Sequence, residues 1–324
     1  LCFCFFVGWQ TRWIKWFVLF GHLSYVNRNE FLFYGGDTVL IALLLILCLA
    51  PIGSALSLDR VRLVRNFKKN HGLAAHPPLP TSQRGFACQR LLQLQMAAIY
   101  FSAGIEKLTG DLWWSGEAPW VALNNNETAF FPMEFLAEHF WLVNAMAFGT
   151  IFIEIAYAFL IWGYKTRPFL LAAALFLHIG IAVSMGMYYF AGVMIFGHLA
   201  FMRRGWYAQA GAWWRKRVGE MEMIYDGQCG FCKRAMAAFL AYDGMQQIKV
   251  RDYRTDPSPI VASEKVDKAL YLVTGSNEAI PGFDAYRYAV LRVPGLWWQV
   301  PFFYIPVFSK LFGRPIYNWI AANR

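Results

Sequence analysis

Met223-Ile-Tyr-Asp-Gly-Gln-Cys-Gly-Phe-Cys-Lys-Arg234 is the stretch whose reading decides the fold of the C-terminal part of the chain. A short apolar strand, 223–226, runs into a tight turn, and Cys229 and Cys232 then open a helix. Free N–H groups and the positive end of a helix favour a thiolate at that place. Two sulfurs at Cys-x-x-Cys spacing can close a small disulfide and reopen it, which is redox chemistry. Cys229, nearer the turn, is the expected attacking thiol, and Cys232 the expected resolving thiol. Asp226 is harder to assign, because an ionised carboxylate beside a thiol disfavours its thiolate. It reads either as a proton relay to the leaving sulfur or as an acceptor for the N–H groups of the turn. Gly227 reads as the residue that permits the turn.

The residues around this stretch alternate between strand and helix patterns: helix at 231–242, strands at 248–253 and 270–274, helices at 285–292 and 317–322. Such alternation around a Cys-x-x-Cys pair suggests a small thioredoxin-like α/β domain. A structural zinc needs four ligands, and residues 205–324 hold no further Cys and no His. No metal is expected. A permanent structural disulfide does not suit a reducing cytoplasmic face.

The preceding 200 or so residues read as membrane. Charged residues make up 15% of the 324-residue chain, against roughly 25% in a soluble protein, and the mean hydropathy is +0.35. The net charge of +10 divides into +7 over 1–220 and +3 over 221–324. This charge lies beside apolar spans, so membrane topology rather than nucleic-acid binding is its expected cause. Spans of about 20 apolar residues are predicted at 38–58, with a kink at Pro51 and Gly53, at 90–109, and at 141–164. Residues 169–201 are too long for one helix and are read as two, turning at 184–188 near Gly186. The first 35 residues add a less regular span. The chain begins at Leu1, so it reads as a fragment rather than one opening on a signal peptide, since no small-residue cleavage site follows.

Loop charges orient the spans. Residues 58–90 hold Arg60, Arg62, Arg65, Lys68, Lys69, Arg84 and Arg90 against Asp59 alone, whereas 110–140 hold five acids, Glu127 among them, and no Lys or Arg. The positive-inside rule places 58–90, 165–167 and everything after Arg203-Arg204 in the cytoplasm. Residues 206–221, with Trp213, Trp214 and Arg215-Lys-Arg217, read as an interfacial helix linking a membrane domain, 1–205, to the redox domain, 222–324. Glu106, Lys107, Glu154, His178 and His198 fall within spans, where ionisable groups are costly and face a protein interior. Lys107 reads either as snorkelling to the interface or as sharing a polar pocket with Glu154 and His178. The histidines also suit hydrogen-bonded core positions.

Two resemblances follow. Ala103-Gly104-x-x-Lys107-Leu108, then Trp114 and Gly116, together with Gly35-Gly36-Asp37 and Ser57-Leu58-Asp59, resemble the HTTM domain, the membrane region shared with vitamin K-dependent gamma-glutamyl carboxylases. That resemblance implies Lys107 as a base and a quinone as a cofactor, although the carboxylases carry a large external region and this chain only the loop 110–140. Tyr225-Asp226-Gly227-x-Cys229-x-x-Cys232, Gly282-x-Asp284-Ala285 and Tyr317-x-x-x-Ala321-x-Asn323-Arg324 resemble the DCC family of thiol-disulfide oxidoreductases. In thioredoxin-like folds a cis-proline faces the disulfide, and Pro281 is the candidate for that place.

The expected protein is therefore a multi-span α-helical membrane bundle followed by a thioredoxin-like domain. It sits in a lipid bilayer, a bacterial inner membrane, with its C-terminal domain in the cytoplasm. It acts on a thiol or disulfide protein substrate through a redox-active disulfide. The alternatives are a quinone-using or carboxylase-like membrane enzyme centred on Lys107, and a non-catalytic membrane partner of the maturation or immunity type.

Overall fold

The computed structural model describes residues 1–28, 34–78, 82–125 and 133–322. They form two units. One consists mainly of Arg12–Ile52 and Thr81–Met202, and the other of Phe3–Thr11, Gly53–Pro80 and Arg203–Arg324.

The first unit is helical: α1 (Thr11–Val26), α2 (Gly35–Leu49), α4 (Gln83–Leu108), α5 (Phe140–Leu160), α6 (Thr166–Met185) and α7 (Tyr188–His198). Between α2 and α4 in the chain lies α3 (Leu58–His71), which belongs to the second unit. Among the described residues, α5 and α6 are long and apolar enough to cross a membrane, and α2 and the stretch Tyr188–Phe201 are shorter apolar helices. The span predicted over 38–58 therefore stops early. Ala50 is extended, as the residue before Pro51 must be, and only 15 helical residues precede it, about 22 Å of rise. Helix α4 has 26 residues and starts seven before the predicted 90, at its Ser82 cap, whose hydroxyl accepts from the Gly85 N–H at 3.1 Å. The turn predicted near 184–188 is present: Gly186 has φ +67° and ends α6, a conformation that costs a side-chain-bearing residue roughly 1–2 kcal/mol.

The Gly-Gly-Asp and Ser-Leu-Asp motifs are helix starts. The Asp37 carboxylate reaches back to the Tyr34 N–H and accepts from Tyr189 Oη at 3.2 Å. Ser57 Oγ accepts from the Arg60 N–H at 3.0 Å. Asp59 accepts from the Gln10 and Thr11 N–H groups at 2.9 and 2.8 Å and from Thr11 Oγ1 at 2.7 Å, satisfying the donors that open α1. Helices α4 and α5 pack closely because residue 104 is glycine. A Cβ there would lie 2.7 Å from Ile155 Cγ1, the small-residue contact by which membrane helices approach one another. The core of this unit is built on Met96, Tyr100, Tyr157, Ile161, Ala174 and Phe201.

The second unit contains a four-stranded sheet of β1 (Met221–Tyr225), β2 (Ile248–Asp252), β3 (Tyr271–Thr274) and β4 (Ala279–Pro281), in the order β2-β1-β3-β4. Strand β1 runs parallel to β2 with Met221 opposite Ile248, and antiparallel to β3 with Met223 opposite Leu272. A parallel pair needs a crossover, and α9 (Gly230–Leu240) supplies it. After β4 come α10 (Gly282–Arg292), several short helical pieces over 294–313, and α11 (Arg314–Ala322). This is the thioredoxin-like arrangement, with β4 and the pieces over 294–313 additional to the sequence reading. Strand β4 spans three residues and ends on proline, too short for a period-2 pattern to register. Helix α8 (Arg204–Val218) precedes the sheet. Its Trp214 donates to the Arg292 carbonyl at 2.9 Å and meets Trp297 edge-on.

Helix α3 packs on α9, and Leu73 just after it enters the core with Met221, Met236 and Leu272. Within the same unit Lys68 is enclosed, its ammonium donating to the carbonyls of Leu73 and Ala75 at 2.7 and 3.0 Å. Burial lowers its pKa to about 8, and the nearby Asp243 carboxylate opposes that shift. Between that value and the unfolded lysine value of about 10.4, the unfolded chain binds more protons. Stability therefore rises with pH across that window. Denaturant unfolding at pH 8 and pH 10 is expected to show this rise in the native chain and its loss in Lys68→Met.

Candidate functional site

The register of the parallel pair builds the thiol site. Tyr225 at the end of β1 lies opposite Asp252 at the end of β2. The Asp252 carboxylate therefore stands beside the turn, where its Oδ1 accepts from the Gly227 N–H at 2.9 Å and from the Arg254 N–H at 3.1 Å. Gly227 has no left-handed φ. What it supplies is space, since a Cβ there would lie 1.7 Å from Asp252 Oδ2. The sequence reading attributed this glycine to turn flexibility, and the structure attributes it to the close approach of a carboxylate.

Cys229 is the N-cap of α9, and its Sγ accepts from the Cys232 N–H at 3.1 Å. Both cysteines are in the thiol form and partly exposed. A sulfur that receives a helix N–H is placed where negative charge is favoured. The helix owes its position to burial of Met236, Ala237, Phe239 and Leu240 on one face, so the opposite edge, with both thiols, is left accessible.

The Asp226 carboxylate is held by the turn and by Arg254. Its Oδ1 accepts from the Gln228 N–H at 2.9 Å. Arg254 donates to both carboxylate oxygens, at 3.2 and 3.3 Å. The hydrogen bonds from Arg254 are the main reason that the Asp226 carboxyl titrates below the usual range, with the Gln228 and Cys229 backbone adding to them. Of the two roles open from sequence, this geometry is that of the turn acceptor. Arg254 also donates to Asp267 at 2.9 Å and lies over the Tyr253 ring, while Tyr253 Oη donates to the same Asp267 oxygen. Sequence reasoning missed Arg254 and Asp252. Both sit at or just past the end of the strand paired with β1, a pairing that the local sequence does not reveal.

Beside Cys232 a cleft is walled by Tyr225, Phe231, Tyr286, Tyr317 and Ile320. The Gly-x-x-Ala step lies close by: a Cβ on Gly282 would lie 3.2 Å from the Tyr317 ring, and Ala285 is fully buried. Pro281 has a trans peptide bond and stands at the end of β4, so it is not the cis-proline of the resemblance. Asn323, Arg324 and Glu127 lie outside the described residues.

In the helical unit Lys107 Nζ and Glu154 Oε2 are 2.9 Å apart and mostly enclosed, with the ammonium also over the Trp113 ring. His178 does not join that pair directly. Its Nε2 lies 2.7 Å from Tyr100 Oη, which is 3.1 Å from His198 Nε2. His198 Nδ1 faces the Met194 carbonyl at 2.5 Å, so a neutral ring must donate there and keep Nε2 as an acceptor. Tyr100 then donates to His198 and accepts from His178. Tyr100 stacks on Tyr157 at 4.0 Å, three residues along α5 from Glu154. Sequence reasoning did not find Tyr100 or Tyr157, because aromatic residues in spans read as core. Among the described residues no cluster of three or more His, Cys, Asp or Glu could hold a metal.

A family model described as the HTTM domain matches residues 3–206. The chain belongs to that family. A second model, DCC1-like thiol-disulfide oxidoreductase, matches residues 223–324, so an HTTM membrane region is followed by a redox domain of the DCC1-like type, whose chemistry requires a redox-active disulfide. No curated protein and no solved structure matches the chain.

The Asp226–Arg254 pair has a defined acid signature. A carboxyl held below its unfolded value, about 3.9, contributes stability above that pH, and the contribution is lost as pH falls through the folded value. Arg254→Gln returns Asp226 towards the ordinary range. The difference in unfolding free energy between pH 7 and pH 3 is expected to be smaller in that variant than in the native chain.

Proposed function

We propose that this protein is a membrane-bound thiol-disulfide oxidoreductase of the reductase type, with Cys229 as nucleophile and Cys232 as resolving thiol on the cytoplasmic face. The observation that carries this reading is Cys229 Sγ at the N-cap of α9, receiving the Cys232 N–H at 3.1 Å, with Cys232 itself lining a cleft. The Cys229 thiolate attacks one sulfur of a substrate disulfide. A Cys229–substrate S–S bond forms, the substrate S–S bond breaks, and the other substrate sulfur leaves as a thiolate that takes up a proton. Cys232, deprotonated, then attacks Cys229 and releases the second substrate thiol. The substrate gains two electrons, and the enzyme is left as the Cys229–Cys232 disulfide, to be reduced again by cellular thiols. Asp226 acts as a positioning residue through the turn. The cytoplasmic assignment is supported by the basic segment 58–71, which packs within the same unit as the redox domain and so lies on the same side of the membrane, the side that positive charge marks as inner.

A second reading has Lys107 as a base towards a membrane quinone. The enclosed Lys107–Glu154 pair and the adjoining tyrosines and histidines support a polar site in the bundle. Against it, a base needs an amine free to take up a proton, and here Lys107 Nζ is engaged by the Glu154 carboxyl group at 2.9 Å.

The readings separate by substitution in the full chain. Cys229→Ser is expected to abolish reduction of a disulfide substrate, and Cys232→Ser to accumulate mixed disulfides visible on a non-reducing gel. Lys107→Met is expected to leave both behaviours intact. Reduction at the native rate by Cys229→Ser would overturn the thiol assignment. Loss of turnover in Lys107→Met alone would move the chemistry into the membrane.

A further inference from the structure

The C-terminal segment has two faces. Its inward face is anchored: Leu296 is fully buried, and Phe303 stacks on Phe283 with ring centroids 5.2 Å apart. Its outward face is apolar and uncovered. Phe302, Val307, Leu311, Phe312, Ile316 and Trp319 are between 54 and 69% exposed. The rings of Phe302, Phe308 and Phe312 form a continuous ladder at 6.0 and 6.4 Å. Pro301, Pro306 and Pro315 break the chain into short helical pieces that follow this surface. Isolated exposed apolar side chains are ordinary, whereas a contiguous apolar patch of this kind marks an interaction surface.

The charge of the segment identifies its partner. From Ala285 to Arg324 the sequence holds no Asp or Glu, but it holds Arg287, Arg292, Lys310, Arg314 and Arg324. Arg314 is paired with Asp284 at 3.1 Å, but the segment keeps a positive excess, and aromatic and aliphatic side chains beside such an excess match the interfacial zone of an anionic bilayer, where the rings enter the acyl boundary and the cations meet phosphate headgroups. The same chemistry continues on α8. There Trp213 is exposed beside Trp214, which contacts Trp297, and Arg215, Lys216 and Arg217 close the helix. A second copy of the chain is a poorer partner, because a two-fold contact would set this cationic surface against itself.

We propose that residues 296–319 form a second, peripheral membrane contact that lies on the anionic leaflet. Because Tyr317 and Ile320 of α11 also wall the cleft beside Cys232, this contact holds the thiol site at the bilayer surface. Its substrates are then disulfides of membrane-embedded or membrane-adjacent proteins.

The test uses the full chain in vesicles of phosphatidylethanolamine and phosphatidylglycerol, with p-benzoylphenylalanine in place of Phe312 in one variant and of Leu311 in another. A control carries the same group in place of Glu264, an exposed residue of the same unit. After irradiation, mass spectrometry is expected to find lipid adducts at 311 and 312 and none above background at 264. Three results would overturn the proposal: a cross-linked dimer, cross-links to other residues of the same chain, or no adduct at either position. None of these readouts depends on the thiols, so this proposal and the redox assignment stand or fall separately.

Discussion

The Asp252 carboxylate accepts the Gly227 N–H at 2.9 Å, and the positions of both thiols follow from that contact. Strand β2 brings Asp252 there because it pairs in parallel with β1, Tyr225 opposite Asp252. The turn can receive the carboxylate only because residue 227 has no Cβ. A hydrogen bond to a charged group contributes roughly 1.5–3 kcal/mol, more than an exposed ion pair, at about 0–1 kcal/mol. By that measure the Asp252–backbone contact sets the turn, and the more exposed Arg254–Asp267 pair is secondary. Asp226 adds a second carboxylate to the same turn, fastened by Arg254. Two acids thus bind backbone N–H groups and a guanidinium at the turn that precedes the thiols.

Much of this was legible in the chain. The strand, the turn and the helix start around Cys229 are local, and local signals survive in sequence. Gly186 likewise marked the break between two apolar helices. The residues that were missed act at a distance. Arg254 is 28 positions from Asp226, and nothing in the spacing of a strand reveals which residue its end will face. Segment 58–71 reads from sequence as a basic loop, yet it forms a helix packed on α9, with an enclosed lysine. A lysine whose donors are taken by backbone carbonyls looks, in sequence, like any surface lysine. The apolar stretch over 294–313 shows no readable helical period, because prolines interrupt it.

In the membrane unit, the motifs that carry the family resemblance turn out to be structural devices. Asp37 and Asp59 satisfy helix-start donors, and Gly104 allows two helices to approach. The polar groups that sequence reasoning singled out divide into an ion pair, Lys107–Glu154, and a hydrogen-bonded triad, Tyr100 with His178 and His198. Polar side chains buried in a bundle need partners, since an unmatched buried donor or acceptor costs about 1–3 kcal/mol. Each group finds its partners within itself, the ion pair between α4 and α5 and the triad among α4, α6 and α7. Among the described residues, α5 and α6 alone meet the length and apolarity of a span by themselves, so the shorter or more polar helices depend on such internal pairing to sit in a bilayer.

The central claim is that Cys229 and Cys232 act as one two-electron couple. It is tested most directly by equilibrating the full chain, reconstituted in bilayer discs, with graded ratios of reduced to oxidised glutathione and trapping free thiols with an alkylating mass tag. The account predicts that both thiols disappear together, in a single transition of about 30 mV per tenfold change in the protein's oxidised-to-reduced ratio, while the buried Cys48 and Cys88 stay out of it. Independent oxidation of the two cysteines, or no transition at all, would contradict it.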